Sequence, residues 1–231
     1  MTLDLYGFGP ALAAGTLMTI KLALSALAVG LVLGLLGALA RTSSIKPLQW
    51  LGGTYSTLVR GIPELLWVLL IYFGTVSMMR ALGEWLGYPS LELNAFAAGT
   101  IALGLCFGSY ATEVFRGAIL AIPKGHREAG MALGLSHGRI LWRVILPQMW
   151  RIALPGLGNL FMILMKDTAL VSVIGLEEIM RRAQIAVTSS KEPFTFFLVA
   201  AFIYLGLTVL AMIGLHFLEK RASLGFVRSA A

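Results

Sequence analysis

Charge and cysteine are what this chain has least of. Only 13% of its 231 residues are Asp, Glu, Lys or Arg, against about 25% in a soluble domain. That excludes a water-soluble enzyme, a disordered tail and a nucleic-acid module, despite a net charge of +7. The single cysteine, Cys106, excludes a disulfide framework and a cysteine-based metal site; it reads as a small apolar packing residue. His126, His137 and His216 are scattered with no H-E-x-x-H pattern, so no zinc site is expected. No G-x-x-x-x-G-K-S/T phosphate loop occurs, so no ATP site is expected in this chain. Apolar residues, by contrast, make up 58% of the chain, glycines number 26, and the mean hydropathy is +0.85. The totals describe a multi-pass membrane protein.

A helix needs about 20 apolar residues to cross the hydrocarbon core, and five stretches qualify: 12–40, 55–79, 93–115, 152–176 and 194–218. Runs this long without period-2 alternation do not resemble barrel strands. The expected fold class is therefore an all-α membrane protein, one domain over 1–231, with residues 123–150 forming a cytoplasmic loop. The opening MTLDLYGFGP holds an acid and no base, unlike a secretory signal, so the first span is expected to be retained. Eleven Lys and Arg fall on one side of the five spans and four on the other. The positive-inside rule then puts the N-terminus outside (periplasmic) and the C-terminus in the cytoplasm. Trp50, Trp142 and Trp150 fall near the inner interface, and Trp85 and Tyr88 near the outer one.

Two stripes of small residues recur every fourth position, Ala26, Gly30, Gly34 and Ala38 in the first span and Gly104, Gly108 and Thr112 in the third. Both suit close helix packing, within the bundle or at a dimer seam. On the outer side, Glu177, Glu178, Arg181 and Arg182 predict i,i+4 pairs on a short amphipathic helix, either a connector or a gate.

The loop 123–150 is too polar to span and too patterned to be slack. Gly134 ends one short helix, Ser136 stands where it can cap the next, and Ile140, Leu141, Val144 and Ile145 give that helix an apolar face before Pro147. Gly134-Leu135-Ser136-His137-Gly138 matches the G-x-S-x-G elbow of hydrolases, but that elbow needs a strand before it, and here a helix precedes.

Glu128-Ala129-Gly130, Gly134 and Val144-Ile145-Leu146-Pro147 resemble the EAA loop of bacterial ABC importer permeases, with Gly130 for the second alanine and Val144 for isoleucine. Arg60-Gly61-Ile62-Pro63-Glu64-Leu65-Leu66, Tyr110-Ala111-Thr112-Glu113-Val114-Phe115-Arg116-Gly117 and Lys166-Asp167-Thr168-Ala169-Leu170 extend the likeness to the polar amino-acid subfamily, Q-type, of histidine/lysine/arginine/ornithine and octopine/nopaline importers. The resemblance implies a type I ABC importer permease fold in the bacterial inner membrane. It also implies docking of a cytoplasmic ABC ATPase dimer on Glu128, Ala129, Gly130, Gly134 and Pro147. The further partners are a sister permease or second copy, a periplasmic amino-acid-binding protein and membrane lipid, with no nucleic acid. ATP and Mg would be bound by the ATPase, leaving this chain without a cofactor.

Charges inside a membrane are functional candidates by default. Arg60, Glu64, Glu113 and Arg116 sit toward the inner ends of their spans, as structural ion pairs at i,i+4 and i,i+3 or as an inner gate. Asp167 lies deeper. It is a candidate to face the path and receive a cationic amino-acid side chain, with an interhelix ion pair as the alternative. Thr168 and Ser172 are candidate hydroxyl contacts, and Lys166 is a candidate partner for a carboxylate. The competing functions are an intramembrane hydrolase and a stand-alone channel or secondary carrier. The first would want a second deep acid, and the second would not need an EAA loop.

Overall fold

This computed structural model of the chain describes residues 5–86 and 94–223; Asp4, Tyr88, Leu93 and Arg228, used above, lie outside the described residues. Among the described residues every regular element is helical: α1 Gly9–Thr42, α2 Lys46–Arg60, α3 Glu64–Leu86, α4 Ala95–Leu120, α5 Lys124–Ala132, α6 His137–Ile140, α7 Leu146–Asp167, α8 Ile179–Ser190 and α9 Pro193–Ala222. A π-turn over Leu141–Ile145 joins α6 to α7, and a 3₁₀ segment over Thr168–Ile174 follows α7. Four stretches, Gly9–Thr42, Ala95–Leu120, His137–Ile174 and Pro193–Ala222, are each long and apolar enough to cross a membrane.

The fifth candidate is not the straight helix expected over 55–79. It is α2 followed by α3, with a 103° bend between them. Pro63 cannot donate a backbone N–H and disfavours helical geometry at Ile62, so the helix stops and restarts. Gly61 N–H closes α2 on the carbonyls of Thr57 and Leu58. The Trp67 Nε1–H donates to the Val59 carbonyl across the bend at 3.0 Å, which fixes the elbow. Most of the stretch left between the expected spans 12–40 and 55–79 thereby belongs to helix α2.

Helix α4 is the centre of the bundle, buried along much of its length against α1, α3 and α7. The two small-residue stripes meet each other. A Cβ on Gly104 would lie 2.9 Å from Val29 Cβ and 3.2 Å from the Ala26 carbonyl oxygen, and one on Gly108 would lie 2.8 Å from Leu33 Cβ. The stripes are therefore a seam between α1 and α4 within this chain, where backbones approach too closely for larger side chains. Helix α9 stands at the periphery, with only Phe196 and Ala200 buried.

The helix that starts at His137 does not end at Pro147. The chain runs through from α6 to α7. The π-turn over Leu141–Ile145 lies just ahead of Pro147 and accommodates the missing hydrogen bond and the crowding of the carbonyl four residues back. Pro155 sits in the interior of α7.

Candidate functional site

Three helices converge on a partly open cavity of about 180 Å³. Helix α3 contributes its first residue, Glu64, while α4 gives Cys106, Phe107 and Tyr110 and α7 gives Leu164 and its last residue, Asp167. The walls are otherwise aliphatic and aromatic. The Tyr110 hydroxyl donates to Glu64 Oε1 at 3.0 Å. Asp167 makes no hydrogen bond or ion pair among the described residues, and no lining residue of this cavity is cationic. Two carboxylates facing one low-dielectric space repel each other unless a cation lies between them.

The neighbour of Asp167 looks elsewhere. Successive helical residues point about 100° apart, and Lys166 lines a separate, wider cleft with Met180, Phe197, Tyr204 and Thr208 from α8 and α9. Neither expected hydroxyl reaches the cavity. Thr168 is buried, with its Oγ1–H donating to the Met165 carbonyl at 2.7 Å. Ser172 is buried further along the 3₁₀ segment and is not among the lining residues.

A second acid is fully engaged. Glu113 of α4 takes an ion pair from Arg41 at the end of α1, a hydrogen bond from Arg116 Nε at 2.9 Å, and an ion pair from Arg60 of α2 at 3.6 Å. The Ser56 hydroxyl donates to it at 3.1 Å. The expected Glu113–Arg116 pair is present. The expected Arg60–Glu64 pair is not, because the elbow at Gly61–Pro63 separates the two residues, sending Arg60 to Glu113 and Glu64 to the cavity.

At the opposite end of the bundle, Glu178 is fully buried. Its carboxylate accepts from the N–H of Met180 (2.9 Å) and Arg181 (2.8 Å), capping α8, and from the Tyr204 hydroxyl of α9 at 2.7 Å. Burial lifts its pKa above the ordinary carboxylate value, and the donors from Met180, Tyr204 and Arg181 pull it part of the way back. This replaces the i,i+4 pairs expected on α8: Glu178 is the cap residue, and Arg182 pairs with Glu177 at 2.7 Å.

The loop 123–150 is built as two short helices and a turn. Leu135 N–H returns to the Gly130 carbonyl at 3.0 Å and Gly134 N–H to that of Met131 at 2.9 Å, with Gly134 at φ +73°, a Schellman closure that suits glycine. Gly130 is buried against Ile140, and a Cβ there would lie 2.9 Å from Ile140 Cγ1. The glycine in place of the second alanine therefore sets how closely α5 meets α6. Glu128, Ala129, Gly134 and Pro147 are exposed, and so are Leu133 at 80% and Trp142 at 71%. Ile140 and Ile145 cover the inner face, while Leu133 and Trp142 stay bare. Ser136 occupies the cap position of α6 without a side-chain cap bond, between two helices rather than after a strand.

Of the residues that line this cavity, only Asp167 is expected there from sequence; Glu64, Cys106 and Tyr110 are not. Glu64 was grouped with the inner ion pairs and Cys106 with the packing residues. The signal for Glu64 was present: Pro63 followed by an acid marks a helix N-terminus, which puts residue 64 at the head of a new helix rather than one turn beyond Arg60.

The family model for the binding-protein-dependent transport system inner membrane component matches residues 30–224. The histidine/lysine/arginine/ornithine transport system permease protein HisQ of Escherichia coli is 40% identical over 225 residues, covering 97% of this chain and 99% of the relative. The octopine transport system permease protein OccQ of Rhizobium meliloti is 42% identical over 232 residues, covering 98% of each. Among solved structures, the crystal structure of an amino acid ABC transporter with histidines superposes with a TM-score of 0.79 at 34% identity, over 96% of this chain and 100% of that one. With its apolar helices and this match over most of its length, the chain is a multi-pass membrane protein that belongs to the family of binding-protein-dependent transport system inner membrane components.

Proposed function

We propose that this chain is the permease subunit of an ATP-driven importer that moves basic amino acids, such as histidine, arginine, lysine and ornithine, across a bacterial inner membrane. The observation that carries the substrate class is the cavity itself: carboxylates from α3 and α7, Glu64 and Asp167, face one apolar space that offers them no cation. A guanidinium, ammonium or imidazolium side chain satisfies both. The names of the relatives, which specify histidine, lysine, arginine, ornithine and octopine transport, point the same way.

The membrane orientation follows the Lys and Arg asymmetry, with the N-terminus periplasmic, the C-terminus cytoplasmic and loop 123–150 beneath the bilayer. There Glu128, Ala129, Gly130, Gly134 and Pro147 form the docking knob for a cytoplasmic ABC ATPase dimer, which binds ATP and Mg. The bare Leu133 and Trp142 favour a partner groove over self-burial. A sister permease or second copy completes the path, and a periplasmic binding protein delivers the substrate. In this reading Arg60, Glu113 and Arg116, with Arg41, clasp the inner ends of α1, α2 and α4, whereas Glu64 belongs to the path with Asp167.

Uptake by the reconstituted complex, measured with a panel of charged and neutral amino acids, tests the proposal. Asp167→Asn is expected to abolish preference for cationic substrates while ATPase recovery stays normal. Unchanged arginine and histidine uptake by that variant would remove Asp167 from the path.

A further inference from the structure

The elbow formed by α2 has two features that the transport path does not use. One is charge. Residues 41–63 carry Arg41, Lys46 and Arg60 and no acid, and Arg116 joins them from α4, so three guanidiniums close on the single carboxylate of Glu113. Each of those arginine side chains stays partly open, between 27% and 34% exposed, and Glu113 cannot occupy all their N–H groups. Three cations against one acid leave a partly exposed cluster with net positive charge.

The other is shape. At 103° to α3, α2 lies close to the membrane plane if α3 crosses it. Gly52, Ser56 and Val59 bury one face of α2 against the bundle. Leu48, Leu51 and Leu58 form an exposed apolar stripe beside it, and Lys46, Gln49 and Arg60 lie on the opposite side. Trp50 is 73% exposed. A helix with an uncovered apolar edge, an exposed tryptophan and a basic edge has the form of one that lies in a lipid interface.

We infer that the α2 elbow binds the phosphate of an anionic phospholipid in the cytoplasmic leaflet, the phosphodiester meeting Arg41, Arg60 and Arg116 while the acyl chains lie along Leu48, Leu51 and Leu58. The leaflet rests on the orientation proposed above; the binding does not. Planar guanidinium forks suit phosphate oxygens, and the apolar stripe separates a lipid from a free anion. Glu113 then serves as a counter-ion that holds the arginines together when no lipid is present.

The test is lipid retention by the intact purified complex in nanodiscs, which expose both leaflets and require no transport. The complex is placed in phosphatidylcholine with added phosphatidylglycerol, and the retained lipid is counted by native mass spectrometry. Wild type is expected to keep phosphatidylglycerol in preference to phosphatidylcholine. Arg60→Gln and Arg41→Gln should each lower that retention about fivefold, while Arg221→Gln at the end of α9 should leave it unchanged. Glu113→Gln should move the other way, retaining more phosphatidylglycerol and melting higher with it than in phosphatidylcholine alone. A purely structural ion network would make Glu113→Gln unstable in every lipid, and that result would overturn the inference even if the arginine variants fail to accumulate. Equal retention by wild type, Arg60→Gln and Arg41→Gln would overturn it as well. Displacement of the lipid by inorganic phosphate at millimolar concentration would assign the site to a small free anion instead.

Discussion

Glu178 and Asp167 are only eleven residues apart in sequence, yet their surroundings are opposite. Glu178 is sealed in protein and accepts from two backbone amides and a tyrosine; Asp167 faces a cavity whose lining residues give it neither a hydrogen bond nor a cation. Glu113 and Glu64 repeat the contrast, the first surrounded by arginines, the second met by one tyrosine hydroxyl. A buried carboxylate with its donors supplied is part of the frame. On the proposed function, one left short of donors is where a ligand brings its own.

Removing both cavity-lining acids should have the largest effect. Glu64→Gln with Asp167→Asn is expected to lower uptake of basic amino acids about 100-fold or more, since each charge-assisted contact is worth about 1.5–3 kcal/mol. The complex should still assemble and melt normally. A matching fall in melting temperature would mean that these acids are frame as well.

Glu178→Ala should do the reverse in kind. It orphans two amides and a buried hydroxyl at the joint of α8 and α9, and a loss of about 2–4 kcal/mol is expected. Thermal or denaturant unfolding of the purified complex would register it, with no shift in which substrates are preferred.

Tyr110→Phe separates the two classes more finely. It removes one neutral-to-charged hydrogen bond from Glu64 and keeps the ring, so apparent affinity for arginine is expected to weaken by about five- to tenfold. Substrate titration of transport-coupled ATP hydrolysis would measure this. The smallest effect is predicted for Ser172→Ala, which sits outside the cavity: uptake within about twofold of wild type, which kinetic assays in proteoliposomes can resolve.

Much of this architecture was legible because lipid imposes simple rules. Long apolar runs had to be helices, and small residues at every fourth position had to face something close, as Gly30 and Gly34 do against Gly104, Gly108 and their neighbours. Gly134 could be placed at the turn of the knob from its flanking helix formers. What failed was reasoning from fixed spacing across places where the helix stops. Arg60 and Glu64 are four residues apart but lie on helices bent by 103°, and Glu178 is a cap residue rather than the first half of an i,i+4 pair. The identity of the cavity depends on three helices arriving together. No local pattern encodes that, although the proline before Glu64 announced a new helix start.

From His137 to Ile174 the polypeptide is one helical run of 38 residues, with a wide turn near its lower end and a tight one beyond Asp167. At 1.5 Å per residue, about 45 Å of helix separates the exposed handle from the acid that faces the cavity. The two are ends of a single lever, softened where Pro155 removes a rung. A tilt imposed on α6 would have a continuous helical route to the acid, with no second chain needed between them.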